Sequence, residues 1–116
     1  MSQRLAVLNV VGLTTKYLNS DYMPRIRDYA NAQGNAWTHV EPMLPAVTSS
    51  VQATYLTGQL PSHHGIVANG WYGRERDEHL FWKQSDRLVA GPKIWETARE
   101  RKSDFSCARL FWWNNM

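Results

Sequence analysis

Three hydroxyl residues, Thr48-Ser49-Ser50, follow a stretch punctuated by Pro42 and Pro45 and open a run that Gly58 closes. Proline disfavours helix at the residue before it, so residues 41–47 are expected to be extended, with a helix beginning at Thr48. A hydroxyl at a helix start has two uses. As an N-cap, Thr48 would accept the backbone N–H of Ser50 or Val51, which is the simpler reading of the spacing. As a nucleophile it would stand in an anion site, since first-turn N–H groups and the helix dipole hold a phosphoryl group against the attacking hydroxyl. Threonine is a poor nucleophile until a base or a metal lowers its pKa. Spacing alone leaves both uses open.

The other chemistry-bearing residues are quickly bounded. His63 and His64 are neighbours, and adjacent side chains of an extended segment point to opposite sides, so they would not chelate one metal together. The single cysteine, Cys107, excludes an intrachain disulfide framework. Within the alternating run Phe105–Phe111 it reads as a small core residue. Val11-Gly12-Leu13-Thr14-Thr15 has one glycine where a dinucleotide-binding turn needs three. The Cys/Ser-x-Pro-x-Arg stretch of a sulfatase is missing.

The elements that must position Thr48 alternate in type. Leu5–Val11 is a near-continuous apolar run ended by Gly12, as expected of a buried parallel strand. Asp21 or Ser20 can cap a helix with Pro24 in its first turn, Ile26, Tyr29 and Ala30 on one face, and Gly34 at its end. Ala36–Val40 alternates and predicts a second strand. Ser49–Leu56 predicts a helix with Val51 and Tyr55 one turn apart. Residues 70–79 read as a polar, turn-rich connection, and Leu80-Phe81-Trp82 as a short edge strand. Pro92 opens a further helix with Ile94, Trp95 and Ala98 on one face, and Phe105–Trp113 is a last strand. Alternation of this kind predicts a layered α/β fold with a largely parallel sheet. In such sheets ligands bind beyond the carboxyl ends of the strands, where residues 44–48 and 62–70 would lie.

Composition narrows the class. The 116 residues allow one domain or part of one, and 43% hydrophobic with 20% charged residues is ordinary for a soluble globular chain. Thirteen Lys and Arg against ten Asp and Glu leave a net charge of +3, with the basic residues scattered. That distribution argues against a nucleic-acid-binding tail and suits a phosphate-bearing small molecule. The first residues lack the apolar core of a signal peptide, and no stretch approaches the roughly 20 apolar residues of a membrane span. A cytoplasmic protein is the resulting expectation.

Leu44-Pro45-Ala46-Val47-Thr48, then Tyr55-Leu56-Thr57-Gly58, then Pro61-Ser62-His63-His64-Gly65-Ile66-Val67-Ala68-Asn69 resembles the type I phosphodiesterase/nucleotide pyrophosphatase family of the alkaline phosphatase superfamily. The fit holds in order, spacing and residue type across the span of these three stretches, residues 44–69, and weaker agreement extends over most of the chain. The resemblance implies an alkaline-phosphatase-like fold and metal-dependent hydrolysis of phosphodiester or nucleotide pyrophosphate bonds through a phospho-threonine. It implies Thr48 as nucleophile and, as alkoxide, as ligand to one of two zinc ions. Asn69 is implied as a side-chain N–H donor to a non-bridging phosphate oxygen, and His64 as a loop-fixing residue rather than a ligand.

Two departures qualify what the resemblance implies. Family members end the first strand with Asp-Gly and bind metal through that Asp; here Val11 holds the position and cannot. Asn9, on the same strand face, offers only a carbonyl oxygen or a bond within the sheet loops. The remaining Asp and His ligands of the family lie later in longer chains, and His39 and His79 are not in its pattern, so this chain is expected to be the N-terminal portion of a larger domain. The six tryptophans include core candidates Trp37, Trp95 and Trp112. Trp71 and Tyr72, directly after Asn69-Gly70, could stack on a nucleobase or other leaving group, or simply pack. The edge at Trp112-Trp113 predicts self-association. The alternative to a hydrolase is a non-catalytic domain that binds a phosphorylated ligand on the same scaffold.

Overall fold

The computed structural model describes residues 5–18, 21–34 and 38–115. The chain divides into two compact units, Met1–Val40 and Glu41–Met116.

In the first unit, α1 spans Thr15–Leu18 and α2 spans Pro24–Ala32. Proline sits in the first turn of α2, where its missing N–H costs nothing, and Gly34 follows at φ +79°. The end signals were therefore legible, but the cap was not. Met23 is the N-cap and makes no side-chain bond, while Asp21 instead accepts from Arg27 at 3.1 Å. Ser20, the other expected cap, lies outside the described residues.

The first expected strand does not form. Leu5–Val10 carries no strand, its side chains are exposed, and the chain turns at Val11-Gly12 with Leu13 N–H bonded to Val10 O at 3.3 Å. An apolar run reports a need for burial, whereas a strand also needs a hydrogen-bonded neighbour, and no described residue of this unit offers one. Residues 38–40 likewise carry no strand; Ala36 and Trp37, which begin that expected element, lie outside the described residues.

The second unit is built around α3, Thr48–Thr57. Its start follows the proline stretch and its end is Gly58 in the left-handed region, φ 68°, with the Gly58 N–H bonded to Thr54 O. The 41–47 approach is not extended throughout: it bends at Leu44-Pro45, joined by a cis peptide bond. The buried face of α3 also differs from the expected one. Ser49, Ser50, Gln52, Ala53 and Leu56 are buried, while Tyr55 faces solvent. Small residues on that face let the following chain come close.

That chain forms α4, Pro61–His64, which packs on α3, and turns at Gly65 with φ 80°. Ile66 then inserts beside Ala53 and Val89, with Trp71 and Leu88 packed against this core. Full burial of a side chain like Ile66 contributes about 1.5–3 kcal/mol. The polar connection expected over 70–79 is instead a hairpin: β1, Gly70–Gly73, pairs antiparallel with β2, Glu78–Phe81, placing Trp71 opposite Leu80. Alternation explains the pairing, since Leu80 is buried and Trp71 reaches the core from the same register position. A 3₁₀ turn, Asp86–Leu88, follows, and the Ala90 N–H bonds to His64 O at 3.0 Å.

Helix α5, Ile94–Arg101, buries Trp95, with the Arg109 guanidinium 4.6 Å from the ring centroid; Ile94, expected on the same face, is exposed. Residues 105–113 carry no strand, and Phe111 is wholly exposed at φ 56°. Cys107, expected in a core, is exposed as a consequence. The end of the segment is anchored by hydrogen bonds to distant residues. Trp113 N–H donates to Gln52 Oε1 at 2.6 Å, Trp113 Nε1 to Lys83 O at 3.0 Å, and Asn114 Nδ2 to Ser85 O at 3.4 Å.

The molecule is thus mixed α/β, but the sheet among the described residues is a two-stranded antiparallel pair rather than a layered parallel one. No helix among the described residues is long and apolar enough to cross a membrane.

Candidate functional site

Thr48 is half-buried and is the first residue of α3, not its cap; Val47 occupies the cap position in extended conformation and makes no side-chain bond. The start of a helix leaves N–H groups without intrahelical partners. Here they have separate fates. Val47 N–H turns back to Pro45 O at 2.9 Å, and Ser49 N–H donates to Asn69 Oδ1 at 2.9 Å. The N–H groups of Thr48 and Ser50 make no hydrogen bond among the described residues. Two free donors at the positive end of a ten-residue helix, beside a hydroxyl, form a place for an anion.

Asn69 is the capping residue of α3, supplied from twenty positions downstream. The bond also determines which way its amide faces. A backbone N–H only donates, so the atom it meets is the carbonyl oxygen, and the Asn69 NH₂ group is turned away from Ser49 and keeps its donors. The resemblance implies Thr48 and Asn69 at one phosphate, and in the structure Ser49 links Asn69 to the start of the helix that Thr48 opens. That the same amide caps the helix is not legible in the sequence.

Asn69 is held from both sides. Its own carbonyl accepts the Trp82 N–H at 2.9 Å, extending the hairpin by one pair. Upstream, His64 is fully buried, accepts the Ile66 N–H on Nδ1 at 3.1 Å, and meets Thr54 Oγ1 through Nε2 at 3.0 Å. Burial pushes the imidazole below its ordinary value, so His64 is neutral at physiological pH. Thr54 Oγ1 in turn donates to Met43 Sδ at 2.7 Å. His63 is exposed, and its ring meets Ser62 Oγ at 3.1 Å.

Trp71 and Tyr72 sit on alternate positions of β1. Trp71 is half-buried against the Ala53–Ile66–Val89 core, whereas Tyr72 is exposed, bonded to Asp77 and tilted against the His79 ring. With Gly70, Leu80 and Phe81 they line a shallow cavity of about 260 Å³. The Tyr72 hydroxyl is raised above its ordinary pKa by that Asp77 carboxylate and stays protonated.

Among the described residues, no three His, Cys, Asp or Glu side chains lie close enough to hold a metal ion. The described residues therefore do not by themselves fit a two-zinc site. Val11 and Asn9 are exposed residues of the first unit.

A hydroxyl at a helix N-terminus, two amide donors without a partner among the described residues and a fixed carboxamide lie together on the second unit. The type I phosphodiesterase / nucleotide pyrophosphatase family matches the chain over residues 5–116. The chain belongs to that family, whose activity is hydrolysis of phosphodiester and nucleotide pyrophosphate bonds. No solved structure matches it.

Proposed function

We propose that this chain carries the nucleophile half of a phosphodiester or nucleotide pyrophosphate hydrolase site. The observation that carries the reading is the 2.9 Å bond from Ser49 N–H to Asn69 Oδ1, which holds a carboxamide with free donors next to Thr48. In the reaction, one non-bridging phosphate oxygen lies against the N–H groups of Thr48 and Ser50, and Asn69 Nδ2 donates to another. Thr48 Oγ attacks phosphorus in line with the leaving group. The Oγ–P bond forms, the bond from phosphorus to the leaving oxygen breaks with its electron pair, and the threonine proton passes to water. A second water then attacks phosphorus, the P–Oγ bond breaks, and the Thr48 hydroxyl is restored. Donors aimed at the developing charge do most in the transition state, because they need no reorganisation when it forms.

Metal dependence, with two zinc ions and Thr48 as one ligand, belongs to the proposal. When bound, such ions would supply Lewis-acid polarisation of the phosphoryl oxygens and a lowered hydroxyl pKa. The layered alkaline-phosphatase-like architecture, with this chain as its N-terminal portion, is part of the same reading. So is stacking of the leaving group on Trp71 or Tyr72.

A second reading, a phosphate-ligand-binding domain without turnover, is favoured by Val11, an apolar side chain where the family has a metal-binding Asp. The two separate in one experiment on the natural protein carrying this sequence. Zinc-dependent hydrolysis of a nitrophenyl phosphodiester that disappears in Thr48→Ala supports the hydrolase. Nucleotide binding without turnover, indifferent to chelator, supports the binding domain.

A further inference from the structure

Thr54 uses its hydroxyl in an unusual way for a residue in mid-helix. The ordinary partner there is the carbonyl one turn back, as Thr57 Oγ1 shows by donating to Ala53 O at 2.8 Å. Thr54 instead points away from its own helix, to Met43 Sδ at 2.7 Å and His64 Nε2 at 3.0 Å. The proton direction along this chain is determined. Ile66 N–H donates to His64 Nδ1, so in the neutral ring Nε2 carries the hydrogen and donates to Thr54 Oγ1. That leaves the Thr54 hydroxyl hydrogen for the Met43 thioether. Each group has one role and none is free to swap.

These three bonds meet the Thr48–Asn69 pair at both ends. Met43 lies on the approach that leads directly into Thr48, and Ile66 lies three residues before Asn69. Asn69 bonds back to Ser49. The circuit from Thr54 through Met43, the Thr48 start, Asn69, Ile66 and His64 to Thr54 is therefore closed. Its covalent arm from Ile66 to Asn69 spans at most about 10 Å when extended, too short to absorb a shift of its anchored end. A misplacement of about 1 Å at a reacting centre can lower a rate about 100-fold.

We propose that Thr54 is a positioning residue, whose hydroxyl, bridging Met43 and His64, sets the spacing of Thr48 and Asn69; the inference rests on the hydrolase reading above. A purely packing role would be met by any residue of the same shape. Thr54→Val keeps the shape and removes the hydroxyl, and Thr54→Ser keeps the hydroxyl and removes the methyl.

The test uses both variants in the natural protein, with two readouts. The first is kcat and KM for a nitrophenyl phosphodiester. Thr54→Val is expected to lower kcat at least about tenfold with KM changed less than about twofold, and Thr54→Ser to recover wild-type kcat within about threefold. The second is hydrogen exchange of the Ser49 amide, which Asn69 Oδ1 protects; it should quicken at least about tenfold in Thr54→Val and return to normal in Thr54→Ser. Unchanged Ser49 exchange in Thr54→Val overturns the inference, as does a Thr54→Ser variant as impaired as Thr54→Val. A wild-type protein without turnover, but with the expected exchange pattern, would sink the hydrolase reading and leave the positioning of Asn69 standing.

Discussion

Replacing Asn69 by aspartate separates the capping bond seen in the structure from the donor role proposed for it. The carboxylate of Asn69→Asp still accepts the Ser49 N–H, and aspartate caps a helix as well as asparagine does. Its charge lies at the positive end of α3, which adds about 0.3–1 kcal/mol of stability. The fold should therefore hold, with a melting temperature equal to or slightly above that of the wild type. The chemistry should not. Losing one donor to developing charge costs about 2.7–4 kcal/mol, or about 100- to 1,000-fold in kcat. A carboxylate about 4 Å from a phosphate oxygen adds repulsion of about 4 kcal/mol at an effective dielectric constant of about 20. Turnover of a nitrophenyl phosphodiester should thus fall at least about 1,000-fold. Asn69→Ala supplies the contrast: it loses cap and donor together, so it should also lose about 1 kcal/mol of stability, or about 4–8 °C. Activity of Asn69→Asp within tenfold of wild type would refute the donor role. A melting temperature as low as that of Asn69→Ala would refute the capping bond.

Other expectations follow from the same geometry. His64 is held below its ordinary pKa of 6.5 by burial, so below that pH the unfolded chain binds more protons than the folded one; its contribution to stability is complete above about 6.5 and declines as pH falls toward the folded value. Urea midpoints measured at pH 7.5 and 5.5 should fall more steeply for wild type than for His64→Asn, and parallel slopes would count against a buried neutral imidazole. Gln52→Leu removes the acceptor of the Trp113 N–H and should cost about 1–3 kcal/mol. Trp82 and Trp113 pack edge to face with centroids 5.2 Å apart, so tryptophan fluorescence should shift with it; an unchanged spectrum and midpoint would show that the anchor is dispensable.

The helix that presents Thr48 was legible because its signals are local. Pro45 stands just before it, Gly58 adopts the left-handed turn just after it, and the hydroxyls between suit a helix start. Both ends of α2 and the start of α5 were legible for the same reason, through Pro24, Gly34 and Pro92. The order Thr48, Thr57-Gly58, His64-Gly65, Asn69 also carried the family, which the match over residues 5–116 bears out.

Tertiary structure decided what depends on a partner distant in sequence. The apolar runs 5–11 and 105–113 looked like strands, yet a strand exists only where a second chain segment satisfies its N–H and C=O groups, and composition does not name that segment. Conversely, the first strand of the hairpin hid beside polar Arg74–Asp77, because its pairing sets Trp71, which packs on the Ile66 and Val89 core, opposite the buried Leu80. The same holds at the site. Thr48 and Asn69 were implied together by the resemblance, but the cap on α3 was sought at Thr48 itself, and the acceptor arrives from twenty residues downstream. Local sequence determined where a helix starts and stops, since capping and turn preferences act over a few bonds. Which amide completes the helix start was decided by the fold, which returns the chain past the buried His64, bonded to Thr54 and to the Ile66 N–H, and sets Asn69 against Ser49.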